Sequence, residues 1–288
     1  MSQLGNDVTS FLVKLLLLGN SGVGKTGALG SLAEAGYRIF LYDFDNGHQI
    51  LLDSTVLKPE FRKNVFVKVF TDKLKDAKGT VDGMPTAFPH FIDNLNAWRE
   101  IKVPGKPAVL GPDGKTVVSA AVPPVVDDLG NPGTWGPKDI VVIDSLTFMG
   151  HAALRYVLFL NNHIGKPPQL QHWGEAIRMQ EDVIARLYAE QVKCNVIILG
   201  HLMPLEDANE GGIVRLWPSA LGKKFPPKIG RYFNNVWEIK KKVMGQKIMR
   251  TLHTSATFQS DLKSTKPGKM PTEMEVDLAK AFTILQTD

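Results

Sequence analysis

The chain has 288 residues, 43% of them hydrophobic and 22% charged, a balance that fits a folded globular protein and excludes a disordered or fibrous one. Its one cysteine, Cys194, excludes an internal disulfide and fits a reducing cytoplasm. No run approaches the ~20 apolar residues that cross a bilayer, and the first ten residues show no basic region leading into a signal core, so no membrane contact is expected. The formal net charge of +5 is unevenly spread, because Arg215–Lys269 carries 13 Lys/Arg against 2 Asp/Glu, a local +11 that suggests a polyanion-binding surface.

In chain order, Phe11–Leu18 is a continuous apolar run, as in a strand buried on both faces. It leads into Gly19, Asn20, Ser21, Gly22, Val23, Gly24, Lys25 and Thr26, then a short helix over Lys25–Ala35 closed by Gly36. Tyr37–Asp43 predicts a second strand and Asn64–Phe70 a third, followed by helical spacing over Ala87–Ile101. Val103–Lys138 is rich in Pro and Gly and reads as an insertion, with a hairpin around Pro112-Asp113-Gly114. Asp139–Asp144 is the fourth strand and Asn195–His201 the fifth, with helices over Leu146–Asn162 and about Gln171–Gln191 between them. Met203–Arg231 reads as a loop, and two strands joined at Met244-Gly245 follow it, before a tail over about 265–288. Strands alternating with helices predict an α/β fold, a mostly parallel sheet flanked by helices, with a C-terminal antiparallel strand pair. The whole chain is read as one domain.

Residues 19–26 match G-x-x-x-x-G-K-[ST] between a strand and a helix, the context in which that motif binds phosphate. Glycines let backbone N–H groups converge on phosphate oxygens, Lys25 reaches the β- and γ-phosphates, and Thr26 ligates Mg²⁺. A second carboxylate for the metal comes from Asp144, at the end of an apolar strand. Ser145 either supports the metal's water shell or caps the next helix. Hydrolysis needs a group that orients water, and Asp45 in "LYDFDNG" is the candidate base, while Asp43 aids the metal site or closes the turn.

The chain has no N-K-x-D guanine-recognition tetrad, and the insertion has no arginine, against a GTPase and an arginine-lidded kinase. "GNSGVGKT" with "VVIDSLT" resembles the RecA-like recombinase ATPases. The resemblance implies ATP and Mg²⁺ as ligands, with Asp45 in the place of a catalytic glutamate one carbon longer. It makes His201, at the end of "NVIILGH", a sensor of the γ-phosphate, and Met203–Arg231 a DNA-binding loop with a companion near Asn161–Ala176, each holding a tryptophan, Trp217 and Trp173. Relatives complete each site with cations from a neighbouring subunit; Lys263, Lys266 and Arg250 are the candidates, and Thr265 stands where an arginine is usual. With no recognisable module ahead of the first strand, the chain is similar to core-only relatives encoded by bacteriophages and linked to recombination and single-strand annealing.

The expected function is ATP-dependent binding of single-stranded DNA. Lys223, Lys224, Lys228 and Arg231 would meet phosphates, and Trp217 or Phe225 would stack on bases. Expected partners are single-stranded DNA, further copies of the chain in a ring or filament, and a single-strand-binding protein. A DNA-translocating or helicase-type motor and a nucleotide-dependent protein switch share the same nucleotide residues and remain alternatives.

Overall fold

The computed structural model describes residues 12–75, 81–107, 109–110, 115, 117–207, 212–245 and 247–287. The leading apolar run forms β1 (Lys14–Leu18), buried along its whole length. There follow α1 (Leu29–Glu34), β2 (Arg38–Asp43), β3 (Val65–Val69), α2 (Ala87–Asn96), β4 (Arg99–Val103), β5 (Val109–Leu110), β6 (Val117–Ser119), β7 (Val125–Asp128), β8 (Asp139–Asp144), α3 (Leu146–Leu160), α4 (Leu170–Tyr188) and β9 (Asn195–Gly200). The chain continues through β10 (Leu202–Asp207), β11 (Ile213–Pro218), α5 (Pro226–Ile229), β12 (Asn235–Met244), β13 (Lys247–His253), β14 (Glu273–Glu275) and α6 (Leu278–Gln286). Among the described residues, no helix is long and apolar enough to cross a membrane.

Eight strands make the central sheet in the order β14-β13-β12-β1-β9-β8-β2-β3. From β12 to β3 all neighbours are parallel, and β13 and β14 extend the sheet antiparallel. The α/β class predicted from the alternating pattern is therefore the class observed. Parallel strands need crossovers that lay helices on the sheet, so β1, β8 and β9 are covered on both faces and consist of near-continuous apolar residues. On one face α1 and α6 pack over Leu15, Leu17, Ile39 and Trp237; on the other α2, α3 and α4 pack over Leu16, Phe40, Tyr42 and Val141.

Four elements depart from the sequence-based expectation. The helix expected over Ala87–Ile101 ends at Asn96, and Arg99–Val103 leaves it as β4, paired with β7. The regular part of α1 starts at Leu29 rather than Lys25, because residues 25–28 wind through tighter turns first. Much of Met203–Arg231 is not loop: β10 and β11 pair antiparallel from Leu202↔Pro218 to Asp207↔Ile213, and α5 follows. The tail after residue 265 supplies β14 and α6, whose Leu278, Ala281, Phe282 and Leu285 are buried against the α1 face.

The insertion divides into two parts. Its outer strands are exposed, with β4 paired to β7 and β5 to β6; the tip of that hairpin lies outside the described residues. Its base belongs to the body: Trp135 stacks on Phe40 with centroids 3.8 Å apart, and Phe40 meets Trp98 edge-on at 5.2 Å. Burying such large rings holds the insertion's root on the sheet, since truncating a core Phe or Trp costs about 3–5 kcal/mol.

Candidate active site

Sheet register brings the chemistry-bearing strand ends level. Asp43 lies opposite Asp144, Asp144 opposite Leu199, and Leu18 opposite Gly200. The loops that leave these strands border a cleft of about 1010 Å³, in the crevice at the carboxyl edge where open α/β sheets bind ligands.

The glycine loop forms one wall. Gly19 donates its N–H to the Gly200 carbonyl at 3.2 Å, tying the loop to β9. A β-carbon on Gly19 would stand 2.8 Å from the Ile239 carbonyl oxygen, too close for any side chain. Lys25 is buried and donates to the Gly19 and Asn20 carbonyls at 2.9 and 3.0 Å; its Nζ is 3.4 Å from His201 Nδ1. Burial lowers the Lys25 pKa, and the charges of Asp144 and Asp45 oppose that shift.

Thr26 donates its hydroxyl to Asp144 Oδ2 at 2.6 Å. Burial, reinforced by the neighbouring Asp45 charge, pushes the Asp144 carboxyl up to about 7. Asp45 faces His201 across the cleft, Oδ2 to Nε2 at 4.0 Å. Burial first, then Asp43, raises the Asp45 pKa; burial and the Lys25 charge lower that of His201. Lys25, Thr26, Asp45, Asp144 and His201 thus line one cleft, as do Ser21, Gly22 and Gly24 of the loop. Asn20 reaches it through the carbonyl that holds Lys25, whereas Val23 is buried in the core beneath.

Asp43 closes the turn. Its carboxylate accepts from the backbone N–H groups of Asp45, Gly47 and His48 and lies 2.7 Å from His48 Nδ1. Ser145 begins α3 without a side-chain capping bond, and its buried hydroxyl has no partner among the described residues.

The donor set suits magnesium on a nucleotide. Such an ion takes one or two protein ligands and completes its octahedron with phosphate and water. Thr26 and Asp144 present a hydroxyl and a carboxylate oxygen 2.6 Å apart beside the loop. Asp45 and Asp144 bring two carboxyl groups close enough that the charge of one raises the pKa of the other, a repulsion that a divalent cation would relieve.

Sequence reasoning left several cleft residues unnamed, Thr147, Phe148 and Ser219 among them. Thr147 and Phe148 on the first turn of α3 and Ser219 after β11 line the cleft, and Arg250 of β13 lines it from the same chain. Thr147 Oγ1 donates to the Ser219 carbonyl at 2.8 Å, and the Ser219 N–H donates to the His201 carbonyl at 2.7 Å. The apolar periodicity of α3 concealed Thr147 and Phe148. No local signal marked Ser219, because its position depends on the β10–β11 hairpin.

Other predicted residues lie elsewhere. Phe225 is 4% exposed in the α3–α4 core, so it offers no face to a base; the sequence showed an aromatic between lysines and not the core behind it. Trp217 is half-buried and borders a separate cavity of about 350 Å³ with Arg231 and Lys263. Arg231 lies 3.6 Å from Glu181, whereas Lys223, Lys224 and Lys228 are exposed. Lys263 bonds through its backbone to Val236, and Lys266 donates to the Thr287 carbonyl at 2.7 Å; neither lines the cleft of its own chain. Trp173 packs partly buried against the α3–α4 cluster rather than standing in a loop.

No protein-family model matches the chain, and no curated protein matches it. Among solved structures, the chain is similar to the RadB recombinase, at TM-score 0.39 and 11% identity over 86% of this chain and 83% of that one. It is similar to a KaiC-like protein from Pyrococcus horikoshii, at TM-score 0.36 and 11% identity over 84% and 77% of the two chains. It is also similar to an ATPase from the type III secretion system of pathogenic bacteria, at TM-score 0.37 and 12% identity, covering 81% of this chain and 55% of that ATPase.

Proposed function

We propose that the chain is a magnesium-dependent ATPase that binds single-stranded DNA under nucleotide control, acts in recombination or annealing, and works as a self-assembled ring or filament. The supporting observation is the meeting of Lys25, Thr26, Asp45, Asp144 and His201 in one cleft, where Thr26 lies 2.6 Å from Asp144 and His201 lies 3.4 Å from Lys25 and 4.0 Å from Asp45.

The glycine loop binds the phosphate chain through its N–H groups. Lys25 exchanges the carbonyls of Gly19 and Asn20 for β- and γ-phosphate oxygens. Asp45 lies beside the γ-phosphate position, and its raised pKa makes it a better proton acceptor than an ordinary aspartate. It takes a proton from water as the water oxygen bonds to the γ-phosphorus; the bond to the bridging oxygen breaks, and ADP leaves with that electron pair. His201 donates to the γ-phosphate from the opposite side. A magnesium ion, held by Thr26 and Asp144 when bound, neutralises charge on the phosphate oxygens.

The route to DNA is short. Ser219 is bonded to both His201 and Thr147, so a rearrangement at the cleft reaches β10–β11 and the segment that carries Lys223, Lys224 and Lys228. The decisive experiment compares ATP turnover with and without single-stranded oligonucleotide. Stimulation by DNA is the expected result, and Lys25→Ala should lower turnover by at least about 10²-fold, as loss of a phosphate-stabilising group does. Turnover indifferent to DNA would favour a nucleotide-dependent protein switch, and strand displacement would favour a motor.

A further inference from the structure

Arg250 sits where a cation from a neighbouring subunit would be sought, yet it belongs to the same chain as the loop it touches. Two residues along β13, Leu252 is fully buried in the α1–α6 core, so the alternation of a strand turns Arg250 to that same face, beyond the edge of the core. The glycine loop occupies that place. Nε, Cδ and Cζ of Arg250 lie 3.2, 3.4 and 3.9 Å from where a β-carbon on Gly24 would stand. The absence of a side chain at position 24 is what lets the guanidinium rest on the loop; Gly24 also has φ +99°, which L residues rarely adopt.

Arg250 lines the cleft together with Lys25 and Thr26, and its side chain makes no hydrogen bond or ion pair among the described residues. A guanidinium has five N–H donors in a planar fork that matches phosphate oxygens two at a time. Here that fork is held against the backbone most suited to a phosphate chain, with no carboxylate to neutralise it.

We infer that Arg250 binds the phosphate chain of the nucleotide held by its own subunit's glycine loop. The inference rests on the nucleotide-binding reading of the cleft and deepens it: the ligand class is a nucleoside di- or triphosphate. Arg250 contacts phosphate oxygens that the loop N–H groups and Lys25 leave uncovered. Assembly is then unnecessary for this contact, and a separate cation completes the site in trans if one exists.

The test measures affinity for ATP, ADP and inorganic pyrophosphate by displacement of a fluorescent ADP analogue, over a range of protein concentrations with the oligomeric state followed by light scattering. Arg250→Ala should weaken all three by about tenfold, the loss of one charge-assisted phosphate contact, by the same factor at every protein concentration. Arg250→Lys should recover part of the loss, because a point charge replaces a fork. Lys241→Ala removes the same charge from the position opposite Arg250 on β12 and should change affinity less than twofold. Thermal melts of each variant report folding, and Arg250→Lys keeps the test valid should the alanine variant prove unstable. Unchanged affinity in Arg250→Ala, an equal loss in Lys241→Ala, or a loss seen only on self-association overturns the proposal. Wild-type protein that binds no ATP or ADP overturns the nucleotide-site reading and this proposal with it; wild-type binding with an unaffected Arg250→Ala overturns the proposal alone.

Discussion

Asp43 and Asp45 are two residues apart on one turn, and the turn separates their roles. Asp43 is fully buried and accepts three backbone N–H groups, so its lone pairs are committed to shaping the loop. Asp45 keeps an oxygen toward the cleft, opposite His201. Lys14 shows the opposite use of a buried charge. Its ammonium donates to the Leu187 and Cys194 carbonyls at 3.2 Å, and burial lowers its pKa from 10.5 to about 8 against a smaller opposing influence of Cys194. A lysine with a depressed folded-state pKa holds fewer protons when folded than when unfolded, so its contribution to stability increases as pH rises from about 8 toward 10.5. Urea unfolding should show the wild type gaining about 1–3 kcal/mol relative to Lys14→Met between roughly pH 7.5 and pH 10. Parallel pH profiles for the two proteins would remove the lysine as the cause.

Among the secondary-structure elements, the insertion is the clearest case of a boundary set by packing rather than by composition. Pro and Gly run through Val103–Lys138, yet residues 129–138 are anchored by Trp135 on Phe40, and β4 and β7 continue outward from that root. Ile101, Val103, Val125 and Val126 are exposed on those strands, so the outer part contributes little to the core. Val103 pairs with Val125, so replacing residues 104–124 by a two-residue Asn-Gly turn preserves the register. The shortened protein should melt within about 4 °C of the full chain, the shift that about 1 kcal/mol produces, whereas Trp135→Ala should destabilise it by about 3–5 kcal/mol. Calorimetry distinguishes the two, and a large drop on shortening would mean that the outer hairpins support the sheet.

For the molecule as a whole, the cationic stretch Arg215–Lys269 divides once it is folded. Arg231 lies beside Glu181, Arg215 pairs with Asp261 at 2.8 Å, and Arg250 lies over the glycine loop. Lys223, Lys224 and Lys228 remain exposed on the segment that follows Ser219. If they hold single-stranded DNA, each neutralised phosphate adds about 0.7 to the slope of log affinity against log salt. Replacing all three by Gln should reduce that slope by about 2 while ATP turnover without DNA stays within about twofold of wild type. An unchanged slope would move the DNA path elsewhere on the protein.

The glycine loop, Asp144 and the parallel strands were legible in the order of residues because each rests on a local rule: glycines at fixed spacing, a carboxylate closing an apolar strand, helices between strands. The burial of Phe225, the place of Arg250 in its own chain's cleft, Ser219 and α6 were not. A phenylalanine between lysines looks exposed until a core forms behind it, and an arginine more than 220 positions from the loop gains a cis partner only when β13 joins the sheet. Chain order encodes the α/β pattern and the phosphate motif, since those depend on neighbours a few residues apart. Which cations face the cleft, which face solvent and which are neutralised depends on strand register and burial, and these arise from contacts between distant parts of the chain.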